Sequence, residues 1–134
     1  MKTPSEKRQR TLNLQARAIR FSAAVNSACP ELFHNAPSAT VWKQLVRAAD
    51  STSNNLVEAD DASSDADFLH KMSTALREAK ESRTCLRKLR LSTLQNVEKT
   101  MGLEQEADEL AAIFATIIIN RKRNIATAGP TRRR

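Results

Sequence analysis

Apolar residues recur along this chain at steps of three and four, the spacing that places side chains on one face of a helix. The punctuation between these runs predicts four helices. Thr3, Pro4 and Glu6 make a capping box with proline at the first helical position, opening a helix over 4–28 that Pro30 stops. Leu12, Ala16, Ile19 and Ala23 are its expected inward line. Ser38 can cap a second helix over 38–59, with Val41, Leu45, Ala48, Ala49, Thr52, Leu56 and Ala59 facing inward. Ser64, followed by Asp65 and Asp67 where carboxylates suit the positive end of the helix dipole, opens a third over 65–90. Its stripe is Phe68, Met72, Ala75, Leu76, Ala79, Leu86 and Leu89. A second capping box, Ser92 to Gln95, opens a fourth over 93–123, carrying Val97, Met101, Leu103, Ala107, Leu110, Ala111, Phe114, Ile117 and Ile118. Gly102 weakens that helix by about 1 kcal/mol relative to alanine.

Long helices joined by short connections predict an all-α fold: one domain over 1–125, an antiparallel up-down-up-down four-helix bundle, followed by a flexible basic tail over 126–134. Such winding brings the start of the first helix and the end of the fourth to one pole, which also receives the acidic connection 58–67.

Two further lines run along the second helix. Arg47, Ser51, Asn55 and Glu58 form a connected polar strip. The simplest reading of the strip is a brace, with Arg47 paired to a carboxylate such as Glu81 on the third helix, and Ser51 and Asn55 hydrogen-bonding across the interface. Trp42, Val46, Ala49, Ser53 and Val57 form a second apolar line, which suits either a subunit contact or packing against a neighbouring helix.

Charge alters the picture at the ends. The 134 residues hold 22 Lys and Arg against 15 Asp and Glu, a net charge of +7. Residues 1–20 carry six basic side chains and one acidic, and residues 121–134 carry six basic and none acidic, so the interior of the chain is acidic. Basic extremities suggest a polyanion, nucleic acid before membrane, although part of this charge can pair with the acidic connection. Arg83, Arg87, Lys88 and Arg90 suit the negative end of the third helix dipole at least as well as a binding role. No apolar run reaches the ~20 residues of a membrane helix. Cys29 and Cys85 are too few for a disulfide framework, and the N-terminal stretch does not read as a signal peptide, so a cytoplasmic protein is expected.

Candidate chemistry is thin. Two glycines cannot build a phosphate-binding loop or a dinucleotide fingerprint. Glu31 and His34 form a single Glu-x-x-His, whereas a di-iron bundle needs two such motifs and two more glutamates. His70 lacks a positioned nucleophile, and Cys85 sits beside Leu86 as packing. No catalytic residue, metal, cofactor or small-molecule substrate is expected.

Gln44, Leu45, Arg47, Ala48, Ala49 and Ser51, then Asn55 and Glu58, then Phe68, Ala75, Leu76 and Glu81, follow a pattern that resembles the four-helix-bundle proteins encoded in intervening sequences of bacterial 23S ribosomal RNA genes. The chain departs from it at Ala59, where glycine is usual, at Glu78, where a small serine is common, and in the arginine-rich end. The resemblance implies a ring-like homopentamer without known enzymatic activity. It also points to related bundles, among them the accessory variability determinant of diversity-generating retroelements, a basic partner of a reverse transcriptase.

The expected function is therefore a non-catalytic, oligomeric accessory protein that binds RNA or DNA, with a reverse transcriptase as candidate partner. Lys7, Arg8, Arg10, Arg121, Lys122, Arg123, Arg132, Arg133 and Arg134 would neutralise phosphates. The alternative is a protein-interaction scaffold with no nucleic-acid role.

Overall fold

A computed structural model describes residues 4–28, 36–92 and 97–129. The described residues form four helices and no strands: α1 (Pro4–Ala28), α2 (Ala36–Asp60), α3 (Asp65–Ser92) and α4 (Val97–Ala128). Cross-helix ion pairs, with one serine–aspartate hydrogen bond, fix their directions. Arg47 near the middle of α2 meets Glu78 and Glu81, while Glu58 at its end meets Lys71, so α2 and α3 run antiparallel. The same reversal joins α3 to α4 through Arg83–Asp108 and Arg121–Asp65, and α1 to α2 through Arg8–Asp60 and Ser22–Asp50. The result is an up-down-up-down bundle around one apolar core that includes Phe21, Trp42, Leu45, Met72, Leu86, Leu110 and Phe114.

Local chemistry explains the clearest helix ends. Ser64 is the N-cap of α3: its hydroxyl accepts the Asp67 amide at 3.1 Å, satisfying a donor that has no partner inside the helix. Gly129 follows α4 with φ +70°, the left-handed conformation that glycine adopts freely beyond a helix C-terminus. The helix consequently runs five residues past the expected end at 123, into what the sequence suggested was tail. Two starts also differ from expectation. α2 begins at Ala36, so Ser38 lies inside its first turn. Ser92 closes α3 rather than capping α4, donating its hydroxyl to the Lys88 carbonyl at 2.6 Å. The rest of that expected capping box, like Thr3, Cys29, Pro30 and the Glu31–His34 motif, lies outside the described residues.

The inward stripes of α2 and α3 are those the spacing predicts, but α1 is rotated. Leu14, Ala18, Phe21 and Val25 face the core, leaving Leu12 40% exposed and Ile19 50% exposed, with Ala23 also outside. Both lines have helical spacing. The winning one carries Phe21 and Val25, and the same rotation aims Arg17 at Glu106 and Ser22 at Asp50. Met101 is likewise exposed on α4, where Thr100 turns inward instead. No described helix is long and apolar enough to cross a membrane.

Candidate functional site

The start of α1, the α2–α3 turn and the end of α4 meet at one pole. Acidic residues in and beside the turn hold some of the basic side chains there. Arg8 pairs with Asp60 at 2.5 Å, and Arg121 pairs with Asp65 at 3.0 Å while its guanidinium lies 3.8 Å above the Phe68 ring, a cation–π stack. Those two arginines therefore tie α1 and α4 to the turn. Their neighbours differ: Lys7, Arg10, Lys122 and Arg123 are exposed and have no ion-pair partner among the described residues. Helix periodicity separates the groups, since Lys7 and Arg10 lie one turn apart and share a face that Arg8 does not. Arg132, Arg133 and Arg134 lie outside the described residues.

Lys7 and Arg10 border a groove between α1 and α4, with Leu14, Ile113 and Ile117 among its lining and a volume of about 610 Å³. The groove exists because α1 packs on α2 far more than on α4. The two outer helices are clamped further along, where Arg17 holds Glu106 through two bonds of 2.8 and 2.7 Å and reaches Glu109 at 2.8 Å. Nothing in the local sequence signals that contact, which spans about ninety residues. Among the described residues, no acidic side chain lines the groove.

The polar strip of α2 is a brace of narrower scope than its sequence suggests. Arg47 donates to Glu78 at 2.7 Å and to Glu81 at 2.6 Å. Glu78, the position where a small residue is common in the resembling family, is the buried anchor: its side chain is 8% exposed, that of Arg47 57%. Burial pushes the Glu81 carboxyl up, but the hydrogen bond from Arg47 and the attraction of its positive charge outweigh this and hold it below the ordinary value. Ser51 and Asn55 do not cross the interface. Asn55 donates to the Ser51 carbonyl and hydroxyl one turn back, and Glu58 pairs at the surface with Lys71.

The proposed subunit line also needs correction. Trp42 is 2% exposed, and Ala49 and Ser53 are buried within the protomer's own bundle, so these side chains cannot meet a neighbour. Val46 packs against the core at its edge; only Val57 stands at the surface. The spacing was real, but helix crowding on both flanks of α2 widened its buried face.

At the opposite pole Arg87 and Arg90 share Glu104 at 3.0 and 2.9 Å, and Arg83 holds Asp108 at 2.6 Å. Arg90, then Arg87, hold the Glu104 carboxyl below its ordinary range against the opposing effect of burial. This cluster staples α3 to α4, a more specific role than the dipole interaction expected. Burial raises the Cys85 thiol, with Glu81 adding to the effect, consistent with a packing cysteine. His70 is exposed, and the described residues contain no group of three or more His, Cys, Asp or Glu able to hold a metal.

Comparison with known proteins bears on the whole bundle. The sequence model of the 23S rRNA-intervening sequence proteins matches residues 10–116. A crystal structure of a protein with unknown function from the S23 ribosomal protein family of Bacteroides thetaiotaomicron is similar, with a TM-score of 0.72 at 25% identity, covering 78% of this chain and 97% of that one. No curated protein matches.

Proposed function

Given that this chain belongs to the 23S rRNA-intervening sequence protein family, we propose that it is a non-catalytic accessory protein that binds the phosphate backbone of RNA or DNA at its basic pole. One observation carries the reading: Lys7, Arg10, Lys122 and Arg123 are exposed and have no ion-pair partner among the described residues, while the adjacent Arg8 and Arg121 are consumed by the acidic turn. Exposed cations on two neighbouring helices, without ion-pair partners among the described residues, suit sequence-independent phosphate contact. The groove beside them offers aliphatic and not aromatic walls, which disfavours base stacking as the main source of affinity. A cytoplasmic, ring-like homopentamer would multiply this surface, and a reverse transcriptase is the partner that the family resemblance suggests. The exposed apolar residues Leu12 and Ile19 on α1 and Ile119 on α4 are available for such protein contacts.

Fluorescence anisotropy with a labelled single-stranded RNA and a DNA duplex tests the proposal. Affinity should fall steeply between 50 and 200 mM salt, roughly as expected when several phosphates are neutralised. Replacing Lys7, Arg10, Lys122 and Arg123 with glutamine should weaken binding by more than about tenfold and flatten the salt slope. Arg8→Gln and Arg121→Gln should instead lower the melting temperature and leave the slope nearly unchanged. Absence of binding at low salt for both probes would reject the reading and leave the scaffold.

A further inference from the structure

Along the seam between α1 and α4 the apolar core stays unfinished. Leu14, Ile113 and Ile117 pack against the core on one side and floor the groove of about 610 Å³ with the other. The two rims differ in charge. On α1 stand Lys7 and Arg10, one turn apart, exposed and without an ion-pair partner among the described residues. On α4 stand Thr116 and Asn120, also one turn apart, exposed and uncharged. The Thr116 hydroxyl is already donated to the Ala112 carbonyl of its own helix.

Dimensions narrow the occupant. From Lys7 to Leu14 and from Ala112 to Asn120 the walls run for two helical turns, roughly 10–12 Å. A trough of that length with an aliphatic floor matches the i, i+3 or i+4, and i+7 side chains of an amphipathic helix. A nucleic-acid backbone uses the cationic rim but leaves the floor uncovered. Charge then chooses among helices. A second copy of this chain is poorly matched, because its exposed Leu12, Ile19, Ile119 and Ile125 lie on stretches of α1 and α4, residues 7–28 and 110–128, that hold cations and no carboxylate.

We infer that the groove between α1 and α4 receives an acidic amphipathic helix of a partner protein. Its apolar line lies on Leu14, Ile113 and Ile117, and two carboxylates one turn apart face Lys7 and Arg10. The inference does not rest on nucleic-acid binding. Lys7 and Arg10 are common to both readings, whereas the aliphatic floor belongs only to this one.

A synthetic helix of about 16 residues is a suitable probe for the full chain, since shorter ones are marginal in water. It carries leucines on one face and two glutamates, one turn apart, on a flank, and is compared with a lysine version and a scrambled version. In fluorescence anisotropy the glutamate helix should bind about tenfold or more tighter than either control. It should also shift the methyl resonances of Ile113 and Ile117. Lys7→Glu with Arg10→Glu should reverse the preference in favour of the lysine helix, a rescue that general loss of structure cannot produce. Thr116→Trp, which fills the trough from an exposed rim position, should abolish binding of the glutamate helix and leave the melting temperature unchanged. Equal affinity for the glutamate helix and its controls, or no reversal in the double variant, would overturn the inference. So would movement of the same methyls on raising the protein concentration alone, which seats a second copy in the groove, or on adding a single-stranded RNA, which seats nucleic acid there. RNA binding without helix binding overturns this inference and leaves the phosphate reading standing; helix binding without RNA binding does the reverse.

Discussion

At the scale of single residues, position in the bundle decides what a charge is worth. Arg47 bridges a buried and a half-exposed carboxylate, so its loss leaves Glu78 nearly buried without a counter-charge. Breaking a fully buried pair costs ~3–5 kcal/mol, but Arg47 is largely open to water, which screens the interaction. Arg47→Ala should therefore cost about 1–2 kcal/mol in urea denaturation. The double variant Arg47→Ala, Glu78→Gln should cost less than the sum of the two singles, because glutamine removes the stranded charge. Additivity would show that the pair is not coupled. Serine and asparagine in the same strip matter less, since their bonds stay inside α2.

Among the elements, α4 contains both of the chain's glycines or ends on them, and the same substitution should have opposite effects at the two. Gly102 lies in the second turn, exposed, and a Cβ added there meets nothing within 4 Å. Gly102→Ala should stabilise the protein by about 0.5–1 kcal/mol by reducing the freedom of the unfolded chain. Gly129 holds φ +70° just beyond the last turn, where an added Cβ has space but the backbone is strained for an L-residue. Gly129→Ala should cost up to about 1 kcal/mol, expressed as fraying of the last turn in amide exchange rather than as global unfolding. α1 shows a different lesson of this scale. It carries two helical apolar lines, and the partners of Arg17 and Ser22 agree with burial of Phe21 and Val25 in selecting which faces inward.

For the molecule as a whole, ion pairs join every adjacent pair of helices, so acid should act on the bundle as a unit. The carboxyls of Glu81 and Glu104 are depressed in the folded state. Between those lowered values and the ordinary carboxylate pKa of about 4.3, the unfolded chain binds more protons than the folded one. Their stabilisation is thus complete above that pH and is lost as pH falls through the folded values. Growing positive charge on a protein already at +7 acts in the same direction. The melting temperature should be nearly flat from pH 8 to 6 and fall steeply below about 4.5. Glu104→Gln should melt lower at pH 7 and lose less on acidification than the wild type; parallel curves would show that Glu104 contributes no acid sensitivity.

The four helices, the α2 and α3 stripes, the Ser64 cap and the basic ends were legible because each depends on residues within a turn or two of one another. Periodicity and capping are local, and a local cause leaves a local trace in sequence. The brace was half legible: Arg47 and Glu81 could be paired by helix order, but Glu78 is recognised only when α3 sets its side chain against α2. Three other features had no local trace. The rotation of α1, the burial of Trp42 and Ser53 inside the protomer, and the open groove between α1 and α4 all depend on which neighbours occupy the space around a helix. Sequence alone determined that this chain makes four helices with cationic ends. Tertiary packing decided which apolar line is core, which arginines are consumed and which stay free, because burial and ion pairing are properties of the assembled bundle and not of any one helix.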